Sequence, residues 1–196
     1  MTDNLDFFKI KHNDTKPEKG FVLVSEPFLQ DTFFKRSVVL ITEHSKEGTV
    51  GFILNNPIKS LVSEILSDFP DIDSLVGIGG PVQTDIIHYL HTAGDLVPDS
   101  VHVKEDLYSG GDFEVIRRLI NEKLIEPNEI RFFVGFSSWH EGQLERELSE
   151  DSWMVTSLDR DSIMNVGGPV LWEQVLKKEG KQYQMWPKYP KNPLMN

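Results

Sequence analysis

No apolar run in this chain exceeds four or five residues before a polar residue, glycine or proline interrupts it; Val38 to Ile41 is representative. Runs of that length are far too short for a membrane-spanning helix, which needs about 20 apolar residues. They are the right length for buried strands. Gly20-Phe-Val-Leu-Val-Ser25 and Ser37-Val-Val-Leu-Ile-Thr42 are β-branched runs bounded by polar residues. Thr49 to Asn55 alternates, with Val50, Phe52 and Leu54 on one side, the period-two mark of a strand. Ser45-Lys-Glu-Gly48 suits a hairpin between the last two, and Asn55-Asn56-Pro57 ends the second, because proline cannot donate to a ladder.

Helical patterns are interspersed. Ser60 is read as an N-cap with Glu64 in the first turns and Leu61, Ile65, Leu66 and Phe69 on one face, ending at Pro70. Asp112 caps a stripe of Phe113, Ile116, Ile120 and Leu124. Gly142 to Leu148 reads as helix. Pro169 opens a last helix with Leu171, Trp172, Val175 and Leu176 inward, and Gly180 closes it. Further strands are expected at Val76 to Ile78, Ile86 to Leu90, Val101 to Val103, Ile130 to Phe136 and Trp153 to Thr156. An antiparallel-looking cluster followed by helices without strict alternation predicts an α+β fold.

With 196 residues, one large domain is expected, and no composition break divides it. Residues 1–19 read as a flexible N-terminal tail, although Leu5, Phe7, Phe8 and Ile10 are suited to cover part of the body. Residues 20–180 form the domain, and 181–196 a Pro/aromatic tail. In that tail Tyr183, Trp186 and Tyr189 recur every third residue, as do Pro187, Pro190 and Pro193. That period matches polyproline II, suited to dock on a partner's aromatic groove or, as favoured here, to fold back on the body. The absence of cysteine excludes thiolate metal sites, thiol nucleophiles and redox switching. Twenty Lys+Arg against 31 Asp+Glu give a formal charge of −11, which argues against nucleic acid as a partner. No secretory leader is visible, so a cytoplasmic location is expected.

Pro27-Phe-Leu29, Asp31, Phe34, Arg36-Ser37-Val38, Glu43-His44, Gly48, Gly51, Leu54-Asn55 and Pro57 resemble the first signature of the AlgH/YqgE family. Gly79-Gly80-Pro81-Val82 with Leu90-His91 resembles the second. Gly135-Phe136, Trp139 and Gly142-Gln143-Leu144-Glu145 resemble the third. The resemblance runs in order from about Gly20 to Gly180. It implies a single compact domain with a split, barrel-like, mostly antiparallel sheet flanked by helices, in bacterial proteins without a settled biochemical activity. The chain departs from the family pattern at Asn56, where Arg is usual, and at Thr49, Ser137-Ser138 and His140-Glu141. If the usual Arg binds an anion, Asn56 lacks that role.

Several constellations invite chemistry and each has a plain structural reading. Glu43-His44 suggests a general base, yet neighbours on a strand face opposite ways, so His44 would need Glu145 or Asp31 as its partner. The structural alternative is a histidine that hydrogen-bonds to close a strand end. Asp85, His88 and His91 have metal-ligand spacing only on a helix, whereas their segment reads as extended; no metal or other cofactor is expected. Gly79-Gly80-Pro81 lacks the Gly-Lys-Ser/Thr of a phosphate loop and fits a tight turn. Gly135-Phe-Ser137-Ser-Trp139 lacks the second glycine of a nucleophile elbow, and no suitable later histidine follows. No catalytic set is complete.

The candidate binding residues are Arg36, His44, Asn55, Trp139, Gln143 and Glu145. Trp139 to Glu145 is read as a strand-to-helix loop displaying an indole face, an amide and a charge, with Arg36 as the complementary cation. The structural alternative is a buried Trp with an Arg36 salt bridge to Glu145 or Asp31. The function these residues favour is a non-catalytic module binding a protein or small-molecule partner, with possible regulatory consequences. The alternatives are an acid–base hydrolase of a phosphorylated or nucleotide substrate, which needs Arg36, His44 and Glu145 in one cleft, and a DNA-binding transcriptional regulator.

Overall fold

The computed structural model describes residues 14–165, 168–181 and 183–189. Leu5, Phe7, Phe8, Ile10, Pro190 and Pro193 lie outside the described residues. The described residues form ten strands: β1 (Val22–Ser25), β2 (Val38–Ser45), β3 (Gly48–Ile53), β4 (Pro57–Leu61), β5 (Leu75–Ile78), β6 (Val82–His91), β7 (Val101–Lys104), β8 (Leu107–Ser109), β9 (Ile130–His140) and β10 (Trp153–Thr156). Five helices accompany them: α1 (Val62–Ile65), α2 (Phe113–Asn121), α3 (Gln143–Ser149), α4 (Arg160–Met164) and α5 (Val170–Lys178).

The main path runs β10-β1-β2-β3-β9-β6-β8-β7 with every neighbouring pair antiparallel. β9 explains why the sheet splits. Its residues Ser137 to His140 pair with β3, while Phe132 to Val134 pair in parallel with β5, which carries β4 on its other side. The chain leaves β5 and crosses β9 to begin β6 opposite Phe136. The backbones meet at that crossing. A Cβ on Gly80 would lie 2.3 Å from the Phe136 carbonyl, and one on Gly79 2.3 Å from the Gly135 oxygen. The glycines are there for close approach, not for a phosphate.

Both faces of β1, β10 and the first half of β2 are covered, which is why those stretches read as unbroken apolar runs. Val22, Val24, Val38, Leu40, Phe52, Leu54 and Met154 enter the central core with α4, α5 and residues 183–189. The alternate residues Leu23, Val39, Ile41, Ile53, Trp153 and Val155 pack beneath α3 with Trp139 and Leu144. A third cluster joins α1, α2 and the other face of β9 through Val62, Ile116, Ile120 and Phe132. At the ends of the path, Lys104 Nζ donates to Ser157 Oγ at 2.7 Å and to the Leu158 carbonyl at 2.9 Å. No ladder joins β7 to β10 among the described residues, so the barrel-like sheet is not closed.

Three local expectations need correction, and two elements were not expected. Ser60 lies in β4, which pairs with β5; α1 is a single turn begun after Leu61, whose amide donates to Glu64 at 2.9 Å. Sheet pairing overrides the local helix signal there. β9 continues through Ser137, Ser138, Trp139 and His140, because β3 supplies a partner along that whole stretch. Residues Tyr183–Lys188 form a 3-10 helix, not polyproline II. Both repeat every three residues, so the spacing alone does not separate them. Finally, α4 and β8 carry too little pattern to be anticipated.

Candidate functional site

Just before β2 the chain makes a tight turn. Asp31 Oδ1 accepts from the amides of Phe33 at 2.7 Å and Phe34 at 3.0 Å, and the Lys35 amide returns to the Asp31 carbonyl at 3.1 Å. Arg36 follows with φ at +53°, a conformation that non-glycine residues rarely hold. Asn55, just past β3, fixes it. Its Nδ2 donates to the Arg36 carbonyl and its Oδ1 accepts from the Val38 amide, both at 2.8 Å.

So placed, the Arg36 guanidinium lies over the Trp172 ring, 5.1 Å from its centroid. Its Nη2 donates to the Tyr189 carbonyl at 2.5 Å. Trp172 is itself held by its indole N–H, which donates to the Ser25 carbonyl at 2.9 Å. The Nε of Arg36 is enclosed without a partner, and its Nη1 makes no hydrogen bond to the described residues. No carboxylate among the described residues forms an ion pair with it; Asp31 is spent on its turn, and Glu145 is exposed on α3. Beside this guanidinium is a cavity of about 370 Å³ between the turn, the end of β3 and the start of α5. Phe33, Lys35, Asn56, Val170 and Glu173 complete its wall.

The other predicted residues lie elsewhere. His44 is near the far end of β2, six residues on from Val38, so roughly 20 Å of strand separates it from the Arg36 turn. It borders a second, more open cavity of about 530 Å³ with Glu43, Glu47 and His140, and its Nδ1 pairs with Thr49 Oγ1 at 2.7 Å. That is a histidine closing a hairpin. Gln143 and Glu145 line neither cavity. The cleft that a hydrolase would need from Arg36, His44 and Glu145 does not form.

Trp139 does not offer a stacking face. It is 2% exposed, against Phe34 and Trp153, because the strand that carries it is covered by α3. Its indole N–H donates to Glu147 Oε2 at 2.8 Å, and so does that of Trp153. The other oxygen of Glu147 accepts from Gln143 Nε2 at 2.9 Å, and Gln143 Oε1 accepts from the His140 amide at 3.1 Å. The segment is a structural clasp centred on Glu147, which the sequence could have offered through its i+4 spacing from Gln143.

His91 is fully buried, with hydrogen bonds to the Gly110 carbonyl, Ser100 Oγ and the Ala93 amide. Arg131, 1% exposed, donates to the carbonyls of Leu54, Ile163 and Asn165. Burial pushes its pKa down to about 9. Its signal in the sequence is a lone charge inside the apolar run Ile130 to Phe136. It ties α4 to the central strands and has no access to either cavity. No cluster of three metal-binding side chains occurs among the described residues.

The AlgH-like family model matches residues 22–184. The chain belongs to the AlgH-like family. Among its relatives, a UPF0301 protein of Parabacteroides distasonis is 37% identical over 198 residues, covering all of both chains. One of Bacteroides thetaiotaomicron is 38% identical over 197, again with full coverage. The solution structure of AlgH from Pseudomonas aeruginosa aligns with a TM-score of 0.71 at 22% identity, over 91% of this chain and 98% of that one. A crystal structure from Corynebacterium diphtheriae gives 0.72 at 21%, over 96% and 100%. At those identities the two structures speak for the AlgH-like fold alone. The names of the relatives state no activity or substrate. No helix among the described residues is long and apolar enough to cross a membrane.

Proposed function

We propose that this AlgH-like chain is a non-catalytic binding module whose small-ligand seat is the Arg36 cavity. One observation carries the reading. Arg36 is held by Asn55, Trp172 and Tyr189, three separate parts of the chain, yet its charge has no carboxylate partner among the described residues. The guanidinium is half-buried and its Nε is enclosed without a partner, which is costly, and a residue fixed against its own backbone preference points to a task beyond packing. The neighbouring cavity is at the small end of the range for ligand sites. Asn55 acts as a positioning residue, since both ends of its amide are already committed.

A thermal-shift screen of small metabolites against the wild type and Arg36→Gln tests this. A ligand at 100 times its Kd adds about 2.7 kcal/mol to stability. At least one compound is expected to raise the wild-type midpoint and leave the variant unmoved. A screen in which nothing stabilises the wild type, or in which every hit acts equally on both proteins, overturns the reading.

A further inference from the structure

We infer that the Arg36 cavity takes a compact monocarboxylate with an apolar or aromatic body; this rests on the cavity being the ligand seat and adds the chemistry of what sits there. Charge comes first. Two cations, Lys35 and Arg36, and one carboxylate, Glu173, border the cavity, so its formal local balance, 2 − 1, is +1 within a chain of −11. A single negative charge neutralises it. A dianion would bring a second charge to a wall that already holds Glu173, where like charges repel.

The donors agree. Nη2 of Arg36 is occupied by Tyr189, while Nη1 has no partner among the described residues, and a guanidinium is a strong, charge-assisted donor to carboxylate oxygens. Asn55 is no competitor for the ligand, because its amide is spent on backbone groups. Thr32 and Asn56 add neutral polar groups, and the remaining side chains, Phe33, Ile53, Pro169, Val170 and Trp172, are apolar. Phe33 and Val170 are large hydrophobics left 38% and 56% exposed at this place, and the Trp172 and Ile53 side chains lie behind them. An apolar body would remove that surface from water. At about 30 Å³ for each water, 370 Å³ corresponds to about a dozen waters, which sets the ligand at roughly that many non-hydrogen atoms.

The test is an amide-resolved NMR titration of the full chain with three matched probes: 3-phenylpropanoate, its carboxamide and phenyl phosphate. The carboxylate is expected to shift amides of residues 32–36, 53–56 and 170–173 saturably. The carboxamide should bind about tenfold more weakly, and Arg36→Gln should weaken the carboxylate about tenfold. Lys35→Gln, an exposed change that leaves the fold intact, should weaken it a few-fold and keeps the test decisive if the Arg36 variant unfolds. Equal binding of the carboxamide, or tighter binding of phenyl phosphate, at the same residues overturns the monocarboxylate assignment and leaves the cavity as the ligand seat. Absence of saturable shifts there with the carboxylate overturns the assignment too, and the thermal-shift screen then decides separately whether the cavity binds anything.

Discussion

The side-chain amide of Asn55 closes the turn that aims Arg36, taking the Arg36 carbonyl at one end and the Val38 amide at the other. The left-handed conformation of Arg36 costs roughly 1–2 kcal/mol, so the turn persists only because these bonds over-determine it. Asn55→Ala leaves a buried amide and a carbonyl unpaired and is expected to lower unfolding stability by about 2–3 kcal/mol. Asn55→Asp keeps the acceptor for Val38 but sets a buried carboxylate oxygen against the Arg36 carbonyl, so it should destabilise at least as much as Asn55→Ala. Urea denaturation of the three proteins checks the order; an Asn55→Ala midpoint equal to wild type would show that the turn stands without its brace.

Glu147 joins two indoles to α3, and its loss should be visible in their spectra. Trp139 and Trp153 both donate to the same oxygen. Glu147→Ala would strand two buried N–H groups, each costing about 1–3 kcal/mol. Tryptophan fluorescence and near-ultraviolet circular dichroism should both change, alongside a lowered melting temperature. Glu145→Ala, two residues away and exposed, should leave all three measurements where they are.

The strands were legible because burial on both faces writes itself as short unbroken β-branched runs, as at Val38 to Ile41. The family signatures were equally legible, since they collect the glycines of the β5–β6 crossing and the Arg36 turn. What could not be read is long-range. Whether Trp139 is displayed or covered depends on α3 folding back over β9, and whether Arg36 and His44 meet depends on which ends of β2 they occupy. Trp172 reads as an inward helix residue, and nothing in its spacing tells that Arg36 will lie across it. The three-residue period of Tyr183, Trp186 and Tyr189 was real, but two helices share it.

His88 should make the fold acid-sensitive. Its ring lies near Phe52 and Phe136, 5.7 and 5.4 Å between centroids, and its Nε2 is enclosed without a partner. Burial pushes its pKa below the ordinary 6.5, and the same holds for His91, where the Gly110 carbonyl partly opposes it. As pH falls below 6.5 the unfolded chain takes up protons that the folded chain refuses. Stability is therefore fully present above that value and declines below it, down to the folded-state pKa. His88→Leu removes one of the two contributions and an orphaned polar atom. It should raise stability at pH 5.5 by about 1 kcal/mol and flatten the curve of midpoint against pH. Parallel curves between pH 7 and 5 would exclude His88 as a source of that slope.

The C-terminal segment should behave as part of the core. In a 3-10 helix, residues three apart fall on one face, which turns Tyr183 and Trp186 together into the central cluster, each 3% exposed, with Tyr189 packed beside them against Phe28. Trp186→Ala removes a buried indole and should cost about 3–5 kcal/mol. A chain ended after Gly180 loses both aromatic residues and the carbonyl that Arg36 uses, so it should melt lower still or fail to accumulate as a folded protein. Pro187, partly exposed on the same helix, offers the contrast: Pro187→Ala changes the backbone preference without removing the ring packing and should shift the midpoint by less than Trp186→Ala. A detachable tail would predict the opposite, an unchanged midpoint after truncation, and calorimetry of the shortened chain decides between the two.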